Sequence, residues 1–155
     1  MILTEKENTI LKDLQTQEKV CMEHYNLCAS TAKDGCLKDL FTQIAKDEQD
    51  HYQFLGQLMD GQMPSYKTAD SAASKAGSYQ PKAAYGTGSN QTDKQHDALL
   101  CSDSIGNEKM VSADYNTNLF HFGNSEVRRL LNHIQTEEQE HAEMIYKYKK
   151  ANAMA

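Results

Sequence analysis

The chain has 155 residues, of which 39% are hydrophobic and 25% charged, as expected for one globular domain with a single core. A net charge of −6 without a stripe of basic residues argues against a nucleic-acid-binding protein. No apolar run approaches the roughly 20 residues of a membrane-spanning helix. The first residues, MILTEKENTI, lack the features of a secretory signal, so we expect synthesis and folding in the cytosol.

The sequence predicts four helices, over residues 4–31, 36–60, 93–120 and 124–150. Gly35 follows Asp34 between the first two helices, and Gly123 precedes Asn124 between the last two. Residues 61–92 contain both prolines, four of the eight glycines and many Ser, Ala and Tyr residues. We interpret 61–92 as a connector, and not a core element, between helical hairpins 4–60 and 93–150 of one domain, residues 1–155.

The second hairpin repeats the first with a shift of 90 residues and no gap. The identical pairs include Asp13/Asp103, Glu18/Glu108, Lys19/Lys109, Tyr25/Tyr115, Asn26/Asn116, Leu40/Leu130, Ile44/Ile134, Glu48/Glu138, Gln49/Gln139 and His51/His141. Such a repeat predicts two similar units that bury a shared core and are related by a pseudo-two-fold axis. A connector of about 30 residues can run the length of helices about 40 Å long. The expected fold is therefore all-α, a four-helix bundle with one long crossover.

One carboxylate interrupts the apolar stripe of every predicted helix, and a histidine follows three residues later in the second and fourth helices. These residues are Glu18, Glu48 with His51, Glu108, and Glu138 with His141. Helical rise places Glu18 and Glu48 about 21–24 Å from the same end of the bundle, and the repeat places the other pair likewise. Four carboxylates and two imidazoles are therefore expected to meet near the middle of the bundle.

Unpaired buried carboxylates would cost more than the roughly 5–15 kcal/mol by which a small domain is stable. Two divalent cations would neutralise four carboxylates, and a Glu and a His three residues apart reach the same ion. Oxygen and nitrogen ligands favour iron, with manganese or zinc as alternatives. A vestigial site, held by protonated carboxylates and buried waters, is the other interpretation.

The repeat predicts a nearly symmetric site with His51 and His141 at opposite ends. Glu48 and Glu138 are expected to bridge two ions about 3.5–4 Å apart, because each precedes a histidine by one turn on the inward face. Glu18 and Glu108 would then be terminal ligands.

The other polar residues are interpreted from their spacing. Tyr25 and Tyr115 either fill the core or donate hydrogen bonds to ligand carboxylates. Solvated helix surface is expected for Asp47, Asp50, Glu137 and Glu140. Exposure to solvent or simple packing is expected for His24, His96, His121 and His133. The four cysteines form no CxxC pair, so we expect reduced thiols, with Cys21 packed in the core.

The ligand pattern resembles that of the ferritin-like superfamily, including the rubrerythrins, over all four helices. The helices are more similar still to the spore coat protein F (Coat F) family, in the segments LTEKENTILKDLQTQEK, LFTQIAKDEQDHYQFL, LLCSDSIGNEKMVSADYN and LLNHIQTEEQEHAEMIYKY. This resemblance leaves the connector unmatched. It implies a ferritin-like fold, metal-ligand roles for the six Glu and His residues, tyrosines beside the ligand glutamates, and a place in sporulation or the spore coat.

Two functions follow from the resemblance. The chain is either a spore-coat-associated di-metal protein with oxygen- or peroxide-dependent oxidation chemistry, or a non-catalytic structural coat protein with a structural or vestigial metal site. Rubrerythrins carry a rubredoxin domain and a further helix-three glutamate, whereas this sequence has no such domain and has Val111 at that position. Whether the protein is an oxidase- or peroxidase-type oxidoreductase is therefore left open. Spore coat proteins, and a second copy of the chain in a homodimer, are the partners considered.

Overall fold

Four long helices make up most of the protein, which a computed structural model describes over residues 1–68 and 74–155. They are α1 (Glu5–Thr31), α2 (Gly35–Met59), α4 (Gln91–Asn118) and α5 (Ser125–Ala151). A one-turn helix, α3 (Lys75–Ser78), lies in the connector, and a 3₁₀ turn (Leu119–His121) follows α4. The described residues contain no strand, which confirms the predicted all-α class. The ends of the predicted helices are correct to within two residues, whereas α3 was not predicted.

Local capping explains where the long helices begin. Thr4 and Glu7 form a capping box, in which each side chain accepts a hydrogen bond from the other residue's backbone N–H. Asp34 accepts from a backbone N–H in the first turn of α2, and Asn124 accepts from two in the first turn of α5. These amides have no partner within their own helix, so a capping side chain stabilises the helix start. Asp34 and Asn124 are equivalent in the repeat.

Burial follows the 90-residue repeat through all four long helices. The equivalent buried pairs are Leu11/Cys101, Leu14/Ser104, Glu18/Glu108, Cys21/Val111, Tyr25/Tyr115, Leu37/Val127, Leu40/Leu130, Phe41/Leu131, Ile44/Ile134, Glu48/Glu138, His51/His141, Leu55/Ile145 and Leu58/Tyr148. On α2 and α5 the buried Glu and His residues separate two apolar clusters, one towards each end of the helix. The polar residues therefore lie in the interior, between two regions of ordinary apolar packing.

The turn of each hairpin is tied to the first helix of the other hairpin. Asp97, near the start of α4, accepts hydrogen bonds from the backbone N–H groups of Lys33 (2.9 Å) and Asp34 (3.0 Å) in the α1–α2 turn. Glu7 is equivalent to Asp97 in the repeat, and it accepts from the backbone N–H of Gly123 (3.4 Å) in the α4–α5 turn. These contacts place the end of each first helix beside the start of the other, so α1 and α4 are antiparallel.

The connector runs along α5 and contacts it at several points. The Lys147 ammonium donates to the carbonyl of Ala76, and the backbone N–H groups of Ala84 and Tyr85 donate to Asn152 Oδ1 at 2.7 and 3.1 Å. Ala76 is fully buried and packs with the apolar cluster at that end of the helices. The expectation that the connector is not a core element is therefore wrong at this residue, because α3 turns a small side chain into the interior.

The cysteines are all free thiols. Cys21, Cys28 and Cys101 are buried and Cys36 is partly buried, in line with the expectation of reduced, packed residues.

Within the described residues, every helix is too short or too polar to cross a membrane.

We expect Asp97→Ala to lower the free energy of unfolding by about 1–3 kcal/mol, because the buried carboxylate is the acceptor of two backbone N–H groups in the α1–α2 turn. The carboxylate also accepts from the Tyr85 hydroxyl at 2.6 Å. Urea denaturation followed by circular dichroism measures the loss. Asp103→Ala, which removes an exposed carboxylate from the same helix, is the control. Equal losses in the two variants would refute the role given to Asp97.

Candidate metal centre

The structure brings the six residues predicted as ligands into one cluster between the four long helices. Each is exposed at 2% or less. They form two groups of four residues. The first group is Glu18, Glu48, His51 and Glu138, and the second is Glu48, Glu108, Glu138 and His141. Within each group, one ligand atom from each residue lies within 4.8 Å of one ligand atom from each of the others. Glu48 and Glu138 belong to both groups. Each group could therefore hold one cation, and the two groups share two glutamates.

Each imidazole directs its Nδ1 atom towards the carboxylates. His51 Nδ1 lies 3.0 Å from Glu138 Oε1, and His141 Nδ1 lies 2.9 Å from Glu48 Oε1. The glutamate from the first helix of the same hairpin approaches the same Nδ1 atoms, at 3.6 and 3.4 Å. The two rings are 6.1 Å apart between centroids. Each histidine is thus closest to a glutamate of the opposite hairpin, in an arrangement that the repeat makes equivalent on both sides.

Several buried atoms of the cluster have no hydrogen-bond partner among the described residues. They include Oε2 of every one of the four glutamates, together with Glu48 Oε1 and His141 Nδ1. Glu48 Oε1 and His141 Nδ1 are only 2.9 Å apart, yet their orientation does not form a hydrogen bond. Neighbouring ligands at about 2.1 Å from one ion lie about 3 Å from each other. The separation and orientation of these atoms therefore fit a shared cation.

Two buried tyrosines orient the carboxylates across the hairpin boundary. Tyr115 donates a hydrogen bond to Glu18 Oε1 at 2.5 Å, and Tyr25 donates to Glu108 Oε1. Burial, reinforced by the charge of the accepting carboxylate, raises the pKa of both phenols well above the ordinary value. The phenols consequently remain protonated donors. Of the two interpretations of these residues, the structure favours the hydrogen-bonding one, although the rings also fill the core.

Asp47 and Glu137 contact the outer nitrogens of the two imidazoles. His141 Nε2 lies 3.0 Å from Asp47 Oδ2, and His51 Nε2 lies 3.3 Å from Glu137 Oε1. Asp47 is 4% exposed and Glu137 is 22% exposed. A carboxylate on one imidazole nitrogen orients the ring and leaves the other nitrogen available to a metal.

The expectation of solvated surface is wrong for Asp47 and Glu137. A histidine of the facing helix covers each of them, and the sequence of one helix does not reveal that contact. A signal was nevertheless present, because an acidic residue directly precedes the glutamate in both Glu-x-x-His motifs. Asp50 is exposed, as predicted, and Glu140 is partly buried.

The outer carboxylates have partners of their own. Gln43 Nε2 donates to Asp47 Oδ1 at 3.0 Å, and Lys75 Nζ lies 2.8 Å from the same oxygen. In the other half, His133 Nε2 lies 2.8 Å from Glu137 Oε1, and a connector tyrosine stacks on the His133 ring. Gln43 and His133 are equivalent in the repeat. His133 is therefore part of the site's surroundings, which the expectation of solvent exposure or simple packing missed.

The remaining histidines lie outside the cluster. His24 Nε2 is 3.0 Å from Ser104 Oγ, His96 Nδ1 is 3.1 Å from Asp97 Oδ1, and His121 is exposed. These positions agree with the expectation of packing or solvent exposure.

Protons compensate the carboxylates in the absence of a cation. Burial, with the charge of Glu48 nearby, raises the pKa of Glu18 to about 8, and burial also raises the pKa of Glu138 well above its ordinary value. Burial opposes ionisation of Glu48, but the Glu18 carboxyl group and the two imidazoles beside it hold its pKa well below the usual range. Burial likewise opposes the charged imidazoles, but the surrounding carboxylates raise the pKa of His51 and His141.

The second hairpin carries a similarity to known proteins. Residues 96–154 match the Coat F domain. The matched segment contains Glu108, Tyr115, Glu138 and His141, and the first hairpin is related to it through the 90-residue repeat. The comparisons with curated proteins and with solved structures each returned no match. The domain match supports the resemblance to the Coat F family.

Raising the pH should destabilise the metal-free protein. Glu18 ionises near 4.5 ordinarily but near 8 in the folded state, so between these values the folded state binds more protons and loses stability as the pH rises. The raised pKa values of His51 and His141 act in the same direction above 6.5. We expect the melting temperature of the metal-free protein, measured by circular dichroism, to fall between about pH 5 and pH 8.

The control for this prediction is Glu18→Gln, which keeps the shape of the side chain and removes its titration. Its melting temperature should fall less over the same range. Asp47 and Glu137 have lowered pKa values, because hydrogen bonds to histidine outweigh the effect of burial, and therefore titrate only in acid. Identical pH profiles for the variant and the unmodified protein would show that Glu18 does not hold the proton.

Proposed function

We propose that this chain is a ferritin-like metalloprotein of the spore coat that binds two divalent cations within a four-helix bundle. Iron is the first choice, with manganese or zinc as alternatives. The observation that carries the proposal is the pair of four-residue groups that share Glu48 and Glu138 and keep one imidazole each. The Coat F domain match supports the spore-coat setting.

The ligand roles follow from membership of the two groups. Glu48 and Glu138 would bridge the ions, Glu18 and Glu108 would be terminal ligands, and His51 and His141 would each bind one ion through Nδ1. Four carboxylates and two neutral imidazoles balance the charge of two divalent cations. Buried oxygens without hydrogen-bond partners supply the lone pairs that such ions require.

A bound pair of iron or manganese ions would supply oxidation–reduction chemistry towards oxygen or peroxide. The chain's own residues orient the ligand side chains and determine which ligand atoms carry a proton. Tyr25 and Tyr115 each hold one oxygen of a terminal glutamate and leave the other free. Asp47 and Glu137 accept hydrogen bonds from the outer imidazole nitrogens, so both Nδ1 atoms remain unprotonated towards the cluster when a cation is present.

A second function, a non-catalytic structural protein of the coat, is favoured by a separate observation. The Tyr–Glu hydrogen bonds, and the raised pKa values by which burial favours protonated Glu18 and Glu138, compensate much of the buried charge, so the cluster can join the hairpins without chemistry. Oxygen-dependent oxidation of Fe(II) separates the two functions. A fully metallated protein that does not react with oxygen or peroxide is a structural protein.

Metal content tests the ligand roles. The unmodified protein should bind two ions per chain, Glu48→Ala should bind fewer than one because Glu48 belongs to both groups, and His51→Ala should keep about one. Elemental analysis after anaerobic dialysis against Fe(II) or Mn(II) measures this, beside melting temperatures with and without metal. Asp39→Ala, an exposed carboxylate of α2, is the control. Absence of metal from the unmodified protein would overturn the proposal.

The outer carboxylates should tune the affinity for metal without changing its stoichiometry. Asp47→Asn and Glu137→Gln each weaken the hold on an imidazole, so we expect affinity for Mn(II) or Zn(II) to fall about 10–100-fold. Competition with a chelator of known affinity measures the change. Asp50→Asn, an exposed neighbour on α2, should leave the affinity unaltered. Unchanged affinity in both outer variants would exclude this role.

A further inference from the structure

A cleft between α4 and α5 leads from the surface to one edge of the cluster. Its volume is about 400 Å³, and Glu108 and Glu138 lie in its wall. These side chains are only 2% and 0% exposed, and Oε2 of each has no hydrogen-bond partner among the described residues. The wall of the cleft therefore contains two residues whose buried acceptor atoms have no hydrogen-bond partner in the described part of the chain.

The symmetry of the repeat breaks at the walls of this cleft. At three positions the second hairpin has small residues where the first has larger ones, in the pairs Ser112/Met22, Ala113/Glu23 and Ala142/Tyr52, whereas the pair Gln135/Ala45 shows the reverse. Met22 and Tyr52 are partly buried, so a thioether and a phenol occupy the corresponding positions on the α1–α2 side. Side-chain size therefore opens the edge at Glu108 in preference to the edge at Glu18.

The chemistry of the lining indicates what the cleft admits. Apart from the two proposed ligands, Lys109 is the charged residue in the wall, and Asn116 and Gln135 offer amide groups. Gln135 Oε1 is buried and has no hydrogen-bond partner in the described structure. The amide of Gln139 lies 3.4 Å from Ser112 Oγ across the cleft, which narrows it. The lining thus suits small, neutral or anionic, hydrogen-bonding molecules.

A second, larger cleft of about 880 Å³ lies between α2, α5 and the connector, but it ends at different residues. It reaches Asp47 and Glu137, and its wall contains none of the six proposed ligands. Asp50 and Glu140 add acidic groups to its wall, and Lys67, Lys75 and Arg129 add basic groups. The two imidazoles therefore lie between this cleft and the ligand oxygens, whereas two of the proposed ligand residues themselves line the α4–α5 cleft.

We propose that the α4–α5 cleft is the entrance through which an external ligand of two or three non-hydrogen atoms reaches the Glu108–His141 half of the centre. This inference rests on the proposed function, because it needs a bound cation to receive the ligand. It makes the two halves of a nearly symmetric site unequal. The half that takes the external ligand is the half whose hairpin carries Ser112, Ala113 and Ala142.

Azide binding to the Co(II)-loaded protein tests the entrance without any turnover. Co(II) accepts oxygen and nitrogen ligands, and its visible absorption changes when a ligand is added. Stopped-flow absorbance then gives the association rate of azide. The variants Ala142→Tyr and Ser112→Met place the residues of the first hairpin at the equivalent positions of the second. Each should lower the association rate constant of azide about tenfold or more, because the larger side chain obstructs the cleft.

Tyr52→Ala is the matched control, since it makes the reverse change in the first hairpin. It should bind azide at least as fast as the unmodified protein. Ser112 is only partly buried, so Ser112→Met provides a folded variant if the larger change at Ala142 disturbs packing. Circular dichroism and cobalt stoichiometry establish that the compared variants are folded and loaded.

The outcomes separate this inference from the function on which it rests. An unmodified protein that takes up no Co(II) overturns both. A Co(II)-loaded protein whose azide association rate is the same with and without Ser112→Met and Ala142→Tyr overturns the entrance alone. Faster association in Tyr52→Ala, together with unaltered rates in Ser112→Met and Ala142→Tyr, would place the entrance in the other hairpin.

Discussion

Compensation of buried negative charge is the constraint on which the rest of the structure depends. Four glutamates at 2% exposure or less would, if left ionised and unpaired, cost more than the net stability of a small domain. Tyr25 and Tyr115 each donate to a glutamate of the opposite hairpin, and each histidine lies closest to one there as well. Neither tyrosine donates to a carboxylate of its own hairpin, and each imidazole lies farther, at 3.4–3.9 Å, from the glutamates of its own hairpin. Packing of the hairpins and formation of the site are therefore one event.

The repeat explains why this compensation can occur twice in one small core. The shift of 90 residues relates the ligands, the tyrosines and the outer carboxylates, and it also relates the carboxylates that tie the two turns, Glu7 and Asp97. The same approximate two-fold axis thus relates the contacts that pack the helices and the contacts that compensate the buried charge. Functional differences between the halves must come from positions where the repeat fails, such as Gln43 against His133 and Ser112 against Met22.

The connector gives the helices two unlike faces. Along α2 and α5, Lys75 contacts Asp47 and the carbonyl of Ala76 binds Lys147, so the connector borders that face and the imidazoles close it from the cluster. Between α4 and α5, by contrast, Glu108 and Glu138 line a cleft. The cleft on one side of the polar centre is therefore lined by two proposed ligand residues, and the cleft on the other side is lined by the carboxylates that contact the histidines.

The sequence by itself determined the helices and the six polar positions in their stripes. Caps such as Thr4 and Asp34 act on their own helix, and residues three apart share a face whatever surrounds them. Only the tertiary structure decided the environment of the residues that lie beside the inward face of each helix. Asp47 and Glu137 lie one residue, or about 100° around the helix, from an inward glutamate, so their burial depends on which helix packs beside them. Ala76 is buried for the same reason, because a one-turn helix with little pattern of its own rests on α5. The sequence of a single helix specifies which side chains face the core, but the helices packed against it determine what the side chains next to that face contact.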